Sequence, residues 1–136
     1  MDGNIGIMAS GAGLALGVLD LLKANGGEAA DFMDVRSVAT REQIAAGIRM
    51  LLADTKVKTI LVVAMGGGVL RCDTIAEGIA LACKENCGHV PVIVRFAGTA
   101  KELGELTLRN QAINATFADD LSDAAQKAVT AVSEKN

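Results

Sequence analysis

A chain of 136 residues has the size of one domain, and with 51% hydrophobic but only 2% aromatic residues its core must be filled by Val, Ile, Leu, Ala and Met. A formal charge of −3 and the lack of any Lys/Arg run leave nucleic acids and anionic membranes without electrostatic attraction. No apolar run is long enough to span a bilayer, Met1–Asn4 lacks the basic segment of a secretory leader, and three cysteines cannot all pair with each other, so a cytoplasmic, reducing setting is expected.

Strand and helix patterns alternate from the start. Ile5–Ala9 reads as a short apolar strand, and Leu14–Asn25 as a helix with Leu14, Val18, Leu21 and Leu22 on one face, stopped by Gly26-Gly27. Ala30–Val35 is a weaker strand. Thr40, with Gln43 three residues on, has capping-box spacing and opens a helix whose buried stripe is Ile44, Ile48, Leu51 and Leu52. Thr59–Met65 is apolar throughout, as a central parallel strand covered on both faces should be. Asp73–Lys84 is a helix with Ile75, Ile79, Ala82 and Cys83 inward, and Val90–Phe96 is a strand with Pro91 near its start, where proline is tolerated. Thr99 and Glu102 make a second capping box ahead of Leu103 and Leu106. Ile113–Phe117 is a short edge strand, and Leu121–Val132 a helix with Leu121, Ala124, Ala125, Ala128, Val129 and Val132 along one side. Five β-α units in succession, with no linker or repeat, predict a single α/β domain over residues 1–136. It is a three-layer fold with a five-stranded parallel sheet in the flavodoxin-like order 2-1-3-4-5.

In that order the sheet reverses direction between strands 1 and 3, and ligands bind at such a reversal, outside the carboxyl ends of the strands. The turns there are Ser10-Gly11-Ala12-Gly13 and Gly66-Gly67-Gly68-Val69, the most glycine-rich in the chain, each leading into a helix. Glycine lets backbone N–H groups approach a ligand, and a helix amino terminus adds unpaired donors and partial positive charge. Two such turns together suit a carboxylate or a phosphate, although tight β-α turning alone accounts for either one singly. Arg71 follows the second turn, to attract an anion or to pair with Asp73. Arg95 ends a strand at the same edge, with a structural ion pair as its alternative.

Other constellations are weaker. Cys83, Cys87 and His89, with Cys72 a helix length earlier, lack the convergence of four ligands that zinc requires, so buried or incidental thiols are expected. His89 falls before strand 4, at the edge opposite to that of a phosphoryl carrier. Gly11-x-Gly13 with Asp34 lacks the third glycine of a dinucleotide fingerprint, Leu16 holding that place. The acidic residues a receiver domain needs after strand 1 are replaced by Ser10-Gly11.

Asp2-Gly3-Asn4-Ile5-Gly6 followed by Gly11-Ala12-Gly13-Leu14-Ala15 resembles the DGNIG…NGAGLA opening of the carboxy-terminal CoA-ligase domain of succinyl-CoA synthetase β subunits. Asp20, Gly26-Gly27 and Asp31-Phe32-Met33-Asp34-Val35 resemble that family's MD…HGG…NFLDV. Gly66-Gly67, Arg71-Cys72-Asp73, Ile75-Ala76 and Gly78-Ile79 resemble its GGI-x-RCD-x-IA-x-GI, and Pro91–Arg95 with Ala124-Ala125 close a match over nearly the whole chain. Malate-CoA ligase and a segment of ATP-citrate lyase share the domain.

The resemblance implies a ligase of acyl-CoA metabolism and the tricarboxylic acid cycle, in which an acyl phosphate and CoA are interconverted with an acyl-CoA and phosphate. The phosphoryl group travels on a histidine of a CoA-binding α subunit against which this domain packs. Ser10, Gly11, Gly13, Gly66, Gly67, Gly68, Val69 and Arg71 then form a substrate-binding edge, with no catalytic nucleophile and no metal. The domain itself binds no cofactor. CoA, and ATP or GTP with Mg, belong to the full enzyme, whose ATP-grasp domain is not in this sequence, and the isolated domain is expected to be inactive.

Five departures bear on that site. Ser10 stands for a substrate-contacting Asn, Val63-Ala64 for Asn-Ile, Arg36-Ser37-Val38 for three glycines and Ala97 for a Glu, and Gly68 accompanies a one-residue insertion before Arg71. The alternative they raise is a non-catalytic paralogue, or an interaction domain that uses the same face to dock an α-type subunit or to assemble with itself. The abrupt start at the first strand suggests a piece of a longer chain.

Overall fold

The computed structural model describes residues 3–10, 12–34, 40–66, 71–86, 90–98, 100–111 and 115–135. The alternating pattern becomes β1 (Ile5–Ala9), α1 (Ala12–Ala24), β2 (Ala29–Asp34), α2 (Arg41–Ala53), β3 (Thr59–Gly66), α3 (Cys72–Asn86), β4 (Val92–Gly98), α4 (Lys101–Asn110), β5 (Ala115–Phe117) and α5 (Leu121–Lys135). All strand pairs are parallel, in the order β2-β1-β3-β4-β5, as expected. Pro91 lies just outside β4 rather than within it. It has no N–H to give to a ladder, but its carbonyl accepts the N–H of Ile60 at 3.0 Å. Val35, Thr99, Ile113 and the side chain of Leu14 lie outside the described residues.

β3 explains the layering. Thr59 to Ala64 are all buried, and successive side chains point to opposite faces. Ile60, Val62 and Ala64 join Met8, Val92, Val94 and Phe96 beneath Ile44, Ile48 and Leu51 of α2, Ile75 and Ile79 of α3, and Leu108 of α4. Leu61 and Val63 turn the other way, with Ile5, Ile7, Ala9 and Ile93, to meet Val18 and Leu22 of α1 and Ala124, Ala125, Ala128 and Val132 of α5. Each fully buried Leu or Ile contributes about 1.5–3 kcal/mol, and these two cores are built mainly of such aliphatic side chains, with the buried Phe96 as an aromatic addition.

Glycine decides how closely the α2-α3-α4 layer packs. A Cβ at Gly78 of α3 would lie 2.6 Å from Ile44 Cβ and 2.9 Å from the Arg41 carbonyl oxygen. One at Gly104 of α4 would lie 2.8 Å from the Cys72 carbonyl oxygen and 3.0 Å from Phe96 Cε2. Helix α4 therefore approaches the sheet through Gly104 and Leu108, while Leu103 and Leu106 are 49% and 51% exposed.

The capping box at α2 forms in both halves: Gln43 N–H donates to Thr40 Oγ1 at 3.2 Å, and Thr40 N–H donates to Gln43 Oε1 at 2.9 Å. The second expected box falls on Thr99, outside the described residues. Ala100 occupies the N-cap of α4 in the left-handed region, with no side-chain cap. Helix α5 has a pairing that periodicity did not reveal: Asp123 N–H donates to Asp120 Oδ1 at 2.7 Å, and Asp119 N–H to Asp123 Oδ2 at 2.9 Å.

Both sheet edges are guarded. On β2 the register shifts at Ile5/Gly6, and Asp31 Oδ1 accepts the N–H of Phe32 at 3.0 Å. On β5, Ala118 N–H donates to the Val94 carbonyl, so the carbonyl of Phe117 faces the open side, where Lys127 Nζ donates to it at 3.1 Å. The Arg109 guanidinium lies 4.9 Å over the Phe117 ring. Among the described residues no helix is long and apolar enough to cross a membrane.

Two predictions follow from this packing. Gly78→Val should lower stability by about 1–3 kcal/mol in urea denaturation, through overpacking against Ile44. Gly17→Ala, where a Cβ meets nothing within 4 Å, should leave stability unchanged or raise it by up to about 1 kcal/mol. Equal losses at both sites would contradict the close α2-α3 approach. The second prediction concerns Asp123, whose carboxyl is held below the ordinary range by Lys127 Nζ at 2.8 Å and then by the Asp119 N–H. A depressed carboxylate stabilises above its unfolded pKa of about 3.9, and that contribution is lost as pH falls through the lower folded value. In Lys127→Met, an NMR titration should show Asp123 moving back up toward an ordinary aspartate; an unmoved Asp123 would exclude the lysine as the cause.

Candidate functional site

The chain leaves β1 for β2 on one side and returns to β3 on the other, so the carboxyl ends of β1 and β3 are neighbours. Adjacent strands are about 4.8 Å apart, and the ladder pairs Ala9 with Val63. Ser10 continues it: its N–H donates to the Val63 carbonyl at 3.1 Å, which fixes where the first glycine turn departs from the sheet. Gly13 falls in the first turn of α1, and Gly66 ends β3 opposite Gly98 of β4. Ser10, Gly13 and Gly66 are thus carried by elements that meet at one edge. Gly11, Gly67, Gly68 and Val69 lie outside the described residues. α1 and α3 leave that edge on opposite faces, since their buried residues belong to different cores.

Of the two roles open to Arg71, the structure takes the ion pair. Its Nε donates to Asp73 Oδ1 at 3.0 Å and its Nη2 to Asp73 Oδ2 at 3.3 Å, a two-point contact that strengthens the guanidinium's hold on its proton. Asp73 Oδ1 also accepts the Thr74 N–H at 3.0 Å, and the Arg71 carbonyl accepts the Ile75 N–H at 3.3 Å, so this pair also starts α3. The Arg71 side chain stays 51% exposed despite this pairing.

Arg95 is different. It is half-buried on β4, in the same lateral row as Ala9 and Val63. Its Nη1 donates to the Phe96 carbonyl at 3.4 Å, while its Nε is buried with no partner among the described residues. The ion pair offered as its alternative is not formed among the described residues. A buried guanidinium nitrogen without an acceptor costs about 1–3 kcal/mol or more.

The cysteines require a correction. Cys72 is a fully buried thiol whose Sγ donates to the Ala97 carbonyl at 3.5 Å. Cys83, expected as a buried or incidental thiol, is disulfide-bonded, its partner lying outside the described residues. It is half-buried, three residues from the end of α3, and packs against the α2-α3-α4 core. Eleven residues of helix place Cys72 about 16 Å from Cys83, too far to share a metal. Cys87 and His89 lie outside the described residues, and among the described residues no three His, Cys, Asp or Glu form a metal-sized group.

Sequence reading missed the end of β4. Gly98 has φ 91° and Ala100 φ 62°, both in the left-handed region, beside the end of β3. The glycine was a visible signal, but an alanine gives none. The described part of this edge carries the half-exposed Arg71 side chain and the Arg95 Nε, which has no acceptor among the described residues.

Residues 8–133 match the CoA-ligase family. The chain is 47% identical over 135 residues to the succinate–CoA ligase [ADP-forming] subunit beta of Alteromonas mediterranea, covering 99% of this chain and 34% of that relative. It therefore spans about a third of the length of the curated relatives it matches. Among solved structures, a protein of Pyrococcus horikoshii OT3 superposes with TM-score 0.80 at 22% identity, over 95% of this chain and 35% of that one. ATP citrate lyase from Methanothrix soehngenii, in complex with citrate and coenzyme A, superposes with TM-score 0.78 at 14% identity, over 95% and 36%. At these identities the structures establish the shared fold.

A left-handed alanine costs about 1–2 kcal/mol that glycine avoids. Ala100→Gly should therefore stabilise the protein by about 0.5–1 kcal/mol in thermal or urea unfolding; a loss of stability would contradict the conformation at this edge.

Proposed function

Since the chain belongs to the CoA-ligase family, as a CoA-ligase domain of the succinate–CoA ligase β-subunit type, we propose that it forms the anion-holding part of a nucleotide-dependent acid–CoA ligase. The observation that carries this reading is the Ser10 N–H bond to the Val63 carbonyl, which brings the start of α1 beside the end of β3. Ser10, Gly11 and Gly13 on one turn, with Gly66, Gly67, Gly68, Val69 and Arg71 on the other, receive a small carboxylate or phosphate. Backbone donors and helix dipoles at that edge favour negative charge as an acyl phosphate forms or collapses, and the Arg95 Nε supplies a further donor.

In this reading the domain stabilises charge and presents no nucleophile. The phosphorylated histidine and CoA belong to an α-type subunit docked against the carboxyl edge. ATP or GTP, with Mg, belongs to an ATP-grasp domain. The relatives' greater length leaves room for such a domain, and the cytoplasm is the setting this chemistry implies. A second reading, a non-catalytic docking or self-assembling paralogue, is favoured by Val63 and Ala64, which are buried and offer the site no polar side chain.

Two experiments test the proposal. Calorimetry with succinate, malate, citrate and phosphate should show binding of at least one anion, lost in Gly67→Val while circular dichroism keeps the wild-type fold. No binding of any anion, with α-subunit docking intact, would leave the docking reading in its place. Separately, the isolated chain given acid, CoA and ATP or GTP with Mg should form no acyl-CoA; turnover would show that the chemistry resides in this domain.

A further inference from the structure

We draw no further inference here: the strongest candidate, the recess of about 250 Å3 at the amino edge of the sheet between Asn4, Gly27, Glu28 and the Val129–Val132 turn of α5, carries nothing because none of the described residues lining it is a buried, unpartnered polar group that would point to a ligand.

Discussion

The ladder between β1 and β3 runs from Ile5 opposite Thr59 to Ser10 on the Val63 carbonyl, and the carboxyl edge depends on it. Both strands lie inside the sheet, with apolar residues on each face, so backbone groups there have no water to turn to. A break would strand donors and acceptors at about 1–3 kcal/mol each. The register of two strands thereby becomes the spacing of two turns. The following helices leave on opposite faces, so their amino termini flank one edge from either side.

Close helix packing supports that edge from below. Gly104 seats α4 against the first residue of α3, where Cys72 and Phe96 fill the space that a side chain at residue 104 would take. Gly78 does the same between α3 and α2. The start of α3 is thus held by neighbouring helices as well as by the Arg71–Asp73 contact. With few aromatic residues available, small side chains and short interhelical distances give the layer its density.

The fold was legible because its signals are redundant. Thr59–Met65 could only be a strand buried on both faces, Thr40 and Gln43 announced α2, and the succession of β-α units settled the topology. Details that hinge on one residue were not legible. Leu103 and Leu106 drew attention in α4, but Gly104 makes its contact, because an absent side chain leaves no trace in a hydrophobic pattern. The left-handed Ala100 at the N-cap of α4 was equally invisible, since alanine carries no signal for that conformation. The sequence anticipated that Ser10, Gly13 and Gly66 share one edge of the sheet, but it could not choose between the roles of Arg71. It also gave no hint that the Arg95 Nε would be left without an acceptor, since that depends on neighbours from other strands. Cys83 escaped for the same reason, as thiol and disulfide read identically in one-letter code.

The two guarded edges have a consequence for quaternary structure. At one end of the sheet an aspartate occupies an N–H of β2, and at the other a lysine occupies the carbonyl of Phe117. An incoming strand would first have to evict a charged group from each place, so the sheet resists growth into a shared, continuous one. Any larger assembly built on this unit is therefore steered toward side-chain contacts on its helical flanks or the rim at the carboxyl ends of its strands, where complementary shape and charge can discriminate among neighbours in a way that generic strand addition cannot.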